Sequence, residues 1–191
     1  MRIITGKYKN RAIRMPEGIR PTQNKVRKAV FDILGDIEGL SVLELFAGSG
    51  AIGLEALSQG AKEAVFVENS PDALSVLRAN LVWVEPGSYY LLAMDVERAV
   101  AQLVKRERKF DIIFLDPPYY QDLSKKTLQT LIACDILAPN GLIVAQHFQE
   151  DNLPLHTGDL VLLKQASYGD TLLSFYKKDK HVPEGDIPGD L

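Results

Sequence analysis

The chain has 191 residues, a net charge of −3, 46% hydrophobic and 25% charged residues, the profile of one ordinary globular domain with a substantial core. One cysteine, Cys134, excludes an internal disulfide; no Cys/His group has zinc-ligand spacing, and no apolar run approaches the ~18 residues of a membrane span. The opening residues Met1-Arg2-Ile3-Ile4-Thr5-Gly6 are not followed by the apolar stretch of a signal peptide, so a cytoplasmic location is expected.

Charge is unevenly spread. Residues 1–28 carry nine basic side chains (Arg2, Lys7, Lys9, Arg11, Arg14, Arg20, Lys25, Arg27 and Lys28) against one acid, Glu17, which makes +8 there and −11 over the rest. A basic segment on an acidic body is the footprint of phosphate contact. Lys7, Lys9, Arg11, Arg14, Arg20, Thr22 and Arg27 are the candidate nucleic-acid-binding residues.

In chain order, residues 2–13 alternate apolar and polar around Thr5-Gly6 and Asn10, which reads as a small β-hairpin. Arg20-Pro21-Thr22 leads into a helix that Thr22 or Asn24 can cap, with Val26, Ala29, Val30, Ile33 and Leu34 at helical spacing. From residue 40 strand and helix alternate: strands at 42–46, 63–68, 89–94, 110–115 and 142–146; helices at about 51–59, from Pro71 to about 81, from the Asp95 cap to about 105, and from 123 to 137. Two last strands, 160–168 and 171–176, flank a Gly169-Asp170 turn and pair antiparallel. The alternation predicts an α/β fold, a mostly parallel sheet with helices on both faces and ligands beyond the carboxyl ends of the strands. The expected organisation is a basic hairpin extension at 1–23, a main domain at 24–178 and a polar, disordered tail at 179–191.

The unusual residues sit at those strand ends. Gly48, Gly50 and Gly53 fit G-x-G-x-x-G after the first strand, where backbone and helix N-terminus can approach a ligand. A nicotinamide cofactor fits that pattern too. Glu44, four residues before the first glycine, argues against it: a carboxylate there repels a pyrophosphate and suits the ammonium of an amino-acid ligand. Phe46 and Ala47 complete the loop. Glu68, beside Asn69, can accept both ribose hydroxyls of an adenosine. Asp95 can take the adenine amine, with Met94 and Val96 against the ring, or can simply cap its helix. These residues, with Asp116, make a candidate S-adenosylmethionine site.

Asp116-Pro117-Pro118-Tyr119 is the most specific signal. An exocyclic amine on a nucleic-acid base is a poor nucleophile because its lone pair is delocalised. Two acceptors that bond its hydrogens can localise that pair: the Asp116 carboxylate and the Pro117 carbonyl, on a loop stiffened by proline. Tyr119 offers a face for a flipped-out base. No metal is required. The expected catalytic residues are Asp116, Pro117 and Tyr119. Cys134 sits at an apolar helical position and is read as core, and His147, His156 and His181 have no sequence partners that suggest catalysis.

On Arg2-Ile-Ile-Thr-Gly-Lys-Tyr-Lys, Arg20-Pro21-Thr22 with Val26-Arg27 and Phe31, residues 45–56, Asp116-Pro117-Pro118-Tyr119 and Tyr168-Gly169-Asp170-Thr171, the chain resembles the bacterial 16S ribosomal RNA guanine-N2 methyltransferases of the small-subunit methyltransferase D type. The resemblance spans about residues 2–177. It implies a Rossmann-like class I methyltransferase with a seven-stranded sheet, S-adenosylmethionine as donor, and one guanine of 16S rRNA, in a partly assembled small subunit, as target. A monomer is expected. Relatives often have an acid near the end of the fifth strand, where this chain has Gln146-His147. Two other readings stand beside this one: a DNA adenine-N6 or cytosine-N4 methyltransferase, for which an added recognition domain has little room, and a non-catalytic RNA-binding assembly factor, which has no use for an intact Asp-Pro-Pro-Tyr.

Overall fold

The computed structural model describes residues 1–17, 24–118 and 123–179. Arg20, Thr22, Tyr119 and the tail beyond 179 lie outside the described residues. The order is α1 (Asn24–Leu34), β1 (Ser41–Leu45), α2 (Ala51–Ser58), β2 (Glu63–Glu68), α3 (Pro71–Leu81), β3 (Tyr89–Ala93), α4 (Val96–Lys105), β4 (Phe110–Leu115), α5 (Leu123–Cys134), β5 (Leu137–Phe148), β6 (His156–Thr157), β7 (Leu160–Tyr168) and β8 (Thr171–Lys178). One sheet runs β3-β2-β1-β4-β5-β8-β7-β6. The first five strands in that order are parallel, β8 is antiparallel to β5, and β7 and β6 continue antiparallel.

The sheet therefore has eight strands among the described residues, not seven. The eighth, β6, pairs His156 with Val161 and Thr157 with Leu160 around a turn at Gly158-Asp159, with Gly158 at a φ of 58°. It is the same Gly-Asp signal as at 169–170, on a two-residue strand too short to show alternation.

Successive side chains of the central strands point to opposite faces of the sheet, and both faces are covered, so β1 is buried at all five positions. Leu43, Leu45, Val65, Val67, Ile113 and Leu115 face α4 and α5. Val42, Ile112, Phe114 and Val144 face α1 and α2 on the other side. Helix α2 is buried on every side. The sheet covers one flank, and Ile3 and Ile13 of the N-terminal segment share a core with Leu54 and Leu57 on another.

That segment folds back on itself as a short hairpin, with Ile3 N–H donating to the Arg11 carbonyl at 3.0 Å and Ile13 N–H to the Met1 carbonyl at 2.9 Å. Its pairing is brief, one antiparallel bridge from Arg2 to Ala12. Glu55 of α2 ties it to the domain, accepting from the Ile4 and Thr5 amides at 2.9 Å each and from Thr5 Oγ1 at 3.1 Å. Gly6 lies so close to α2 that an added Cβ would sit 1.8 Å from the Ser58 carbonyl oxygen.

Helix α5 also ends earlier than its apolar spacing implies, at Cys134 rather than 137. Asp135 turns left-handed (φ 45°) and is held by Lys109 and Lys178. Ile136 and Leu137, which extend the helical pattern on paper, enter the core beside the sheet. Strand β5 starts at Leu137 and carries Pro139-Asn140-Gly141 as an irregularity where the register with β4 shifts.

Candidate active site

Strand order reverses between β1 and β4: the chain moves outward to β2 and β3, then returns to β4 and β5. Loops leaving β1 and β4 diverge there, which opens a crevice beyond the strand ends. A cavity of about 670 Å³ occupies it.

Of the candidate cofactor residues, Glu44, Phe46, Ala47, Gly48, Glu68, Asn69, Met94, Asp95, Val96 and Asp116 all line this cavity, drawn from the ends of β1, β2, β3 and β4. Gly50 and Gly53 do not. Their lack of a side chain serves packing: a Cβ on Gly53 would come 2.4 Å from a Phe66 ring carbon, and one on Gly50 2.5 Å from Leu77 Cδ1. Gly48 is the glycine that faces the ligand space, with a φ of 53° and nothing within 4 Å of where a Cβ would point. Phe46, left-handed at φ 58° without being glycine, is a backbone strain the sequence did not announce.

Each acid has a distinct environment. Glu44 is 4% exposed, and its carboxylate accepts from the Gly53 amide at 2.8 Å and the Ile52 amide at 3.3 Å, two first-turn donors of α2 that lack helical acceptors. Burial, with the charges of Asp116 and Glu68 behind it, pushes the Glu44 carboxyl up to about 8 against the pull of those amides. Glu68 Oε2 accepts from Gly48 N–H at 2.7 Å, and Oε1 accepts from Asn69 and Ser70 N–H at 2.9 and 2.8 Å. Three of a carboxylate's roughly four acceptor positions are thus taken. Asp95 caps α4 through the Arg98 amide at 2.9 Å and lines the cavity as well, so both roles read for it meet in one residue.

Asp116 lies on the cavity wall and accepts from Gln146 Nε2 at 2.9 Å. Pro118 is on the wall; Pro117 is buried and outside it. His147, next to Gln146, points into a separate network. Its Nδ1 is 3.0 Å from the Phe148 carbonyl, so that nitrogen carries the hydrogen, and its Nε2 is 2.8 Å from Ser174 Oγ. Burial lowers its pKa, which keeps the ring neutral.

Sequence reasoning missed Met15, which brings the end of the N-terminal segment to the cavity, and Lys126, Thr127 and Thr130 of α5. The signal for the latter was available: a helix returning from β4 to a parallel β5 must pass over the loop that follows β4.

Arg27, expected to hold RNA, is instead buried. It is 0% exposed and cannot meet a phosphate. Its guanidinium reaches Glu55, also 0% exposed, at 3.4 Å, the Asn24 side chain at 3.2 Å, the Arg2 carbonyl and the Met1 sulfur. Burial pulls its pKa down while Glu55 and Glu44 hold it up. Lys7, Lys9, Arg11 and Arg14 are exposed on the N-terminal segment. Lys7 pairs with Glu85, and Arg11 lies over the Trp83 ring at 5.2 Å, which meets Tyr8 edge-on at 5.1 Å.

S-adenosylmethionine carries a sulfonium and an ammonium, and the cavity's charge suits it. Glu44, Glu68, Asp95, Glu97 and Asp116 line the cavity against one cation, Lys126, among the described residues. A pyrophosphate would meet repulsion there. The open space over Gly48 supplies the close backbone approach.

Residues 1–177 match the model of the family described as "Conserved hypothetical protein 95". The chain belongs to this family. Among similar proteins, YlbH of Bacillus subtilis (strain 168) is 38% identical over 182 residues, 93% of this chain and 99% of that one. Ribosomal RNA small subunit methyltransferase D of Escherichia coli (strain K12) is 30% identical over 182 residues, 94% of this chain and 90% of that one. The solved structure of yhhF from Escherichia coli superposes with a TM-score of 0.84 at 30% identity, covering 94% of this chain and 98% of that chain. The family's fold is the Rossmann-like one of S-adenosylmethionine-dependent methyltransferases.

Proposed function

We propose that this protein transfers a methyl group from S-adenosylmethionine to the exocyclic N2 of a guanine in 16S ribosomal RNA, acting in the cytoplasm as a monomer on a partly assembled small subunit. The observation that carries the chemistry is Asp116, at the end of β4, on the wall of a cavity whose other carboxylates suit a cationic donor. The relatives' name supports ribosomal RNA as the substrate class. Guanine N2 rests on the resemblance noted above.

In this reading Glu44 holds the amino-acid end of the donor, Glu68 the ribose, and Asp95 with Met94 and Val96 the adenine. Because Glu68 already accepts three backbone bonds, holding both ribose hydroxyls requires giving up one of them. The bound donor supplies an electrophilic methyl on a sulfonium sulfur. Asp116 accepts a hydrogen bond from the target amine, which localises its lone pair, and takes a proton as the nitrogen gains its fourth bond. Tyr119 provides the stacking face and Pro117 stiffens the turn. Lys7, Lys9, Arg11, Arg14, Arg20 and Thr22 hold the RNA backbone.

The test is transfer of a labelled methyl to naked 16S rRNA, to partly assembled small subunits and to DNA, followed by digestion and identification of the modified nucleoside. N2-methylguanosine from the subunit substrate is expected, and Asp116→Ala abolishes its formation while S-adenosylmethionine still binds. Label in adenine or cytosine of DNA would replace this reading with the DNA one.

A further inference from the structure

Along β5 the buried run Ile143-Val144-Ala145 is apolar, and then an amide, Gln146, follows at 4% exposure. A buried amide is costly unless its groups are bonded. Gln146 makes one such bond, from Nε2 to Asp116 Oδ2 at 2.9 Å. Its Oε1 is buried with no hydrogen-bond partner among the described residues. A side chain retained for volume alone would avoid that orphaned oxygen; methionine or leucine would fill the space. Turning the amide over would set oxygen against carboxylate. The register fixes the encounter, because Leu115 pairs with Ala145 and Asp116 and Gln146 come next on neighbouring strands.

We propose that Gln146 is a positioning residue for the reaction: its Nε2–H fixes the orientation of the Asp116 carboxylate and favours the ionised form that can accept from the target amine. This rests on the methyltransferase reading. Among the described residues, the titratable groups that share the cavity with Asp116 are Glu44 from β1, Glu68 from β2, Asp95 and Glu97 at the start of α4, and Lys126 from α5. A hydrogen bond donated to a carboxylate favours its ionised form, and the Gln146 amide is placed to give one.

The experiment compares wild type with Gln146→Leu and Gln146→Glu. Single-turnover methyl transfer is followed from acid to mildly alkaline pH. The carboxyl carbon-13 signal of Asp116 is titrated in the ligand-free proteins. Thermal midpoints and S-adenosylmethionine affinity report that the fold and the donor site are intact. Gln146→Leu keeps donor affinity, loses about 10²-fold in transfer rate, and shows its acid limb and its Asp116 titration at higher pH than wild type. Gln146→Glu reverses the pH dependence. At the acid end the two carboxyls share a proton that donates as the amide does, so the rate rises as pH falls; above that, two carboxylates repel. Wild-type rates and profiles in both variants overturn the proposal, and so does a loss equal at every pH in both. If wild type methylates no RNA, the methyltransferase reading fails. The Asp116 titration then decides the Gln146 link alone: a move to higher pH in Gln146→Leu supports it, an unmoved titration removes it.

Discussion

Glu44 serves two structural neighbours with one carboxylate, satisfying the first turn of α2 while bordering the donor cavity. With its carboxyl at about 8, it holds a proton at neutral pH in the ligand-free protein. A cationic ligand favours the ionised form, so binding S-adenosylmethionine at pH 7 should release ~1 proton. Calorimetry in two buffers of different ionisation heat measures this, and Glu44→Gln should release none. The same carboxyl has a stability consequence. It titrates near 4.5 when exposed and near 8 when folded, so the folded state holds the extra proton between those values. Stability therefore falls as pH rises through that window and levels off above it. Glu44→Gln removes that slope in urea midpoints. The position of Glu44 at a strand end was legible from its spacing to Gly48; its partners, and hence its proton, were not, because they come from the helix after the turn.

At the level of elements, α2 is the piece on which the others converge. Its flank toward the sheet carries Ile52 and Ala56, and its Glu55 ties down the N-terminal segment and meets Arg27 of α1. Glu55→Ala should cost about 3–5 kcal/mol in chemical denaturation, since it leaves a buried guanidinium without its counter-charge. A paired Arg27→Met, Glu55→Leu change should recover only the part due to the unpaired charge, because the Ile4 and Thr5 amides still lack their acceptor. Strands and helices were readable here because short apolar runs, helical spacing and capping residues are local properties. The exceptions have a common cause. Arg27 belongs to a basic run, and its counter-charge is an acid 28 positions later, with further partners in the N-terminal segment. The end of α5 hid because Ile136 and Leu137 satisfy helical spacing, while the stop is a left-handed Asp135 fixed by two distant lysines. Strand β6 was too short to have a period.

Across the whole molecule, the positive charge of the N-terminal segment stands beside the acidic cavity, since Met15 borders that cavity and Arg11 and Arg14 are exposed just before it. Reversing Arg11 and Arg14 to Glu should weaken RNA binding and lower the slope of log affinity against log salt by about 2, read by titration at several salt concentrations. S-adenosylmethionine affinity should be unchanged. One contact joins the two regions. Asn80, almost wholly buried at 1% exposure, accepts from the Arg14 amide at 2.9 Å, donates back to the Arg14 carbonyl at 3.0 Å, and donates to the Ser49 carbonyl at 2.9 Å. The Arg14 amide can trade its hydrogen with solvent only when that clasp opens, and the clasp shares a side chain with the glycine turn. Deuterium uptake at Arg14 is therefore a remote gauge of the donor loop: filling the cavity should slow it, and Asn80→Ala should leave it fast whether or not the donor is bound.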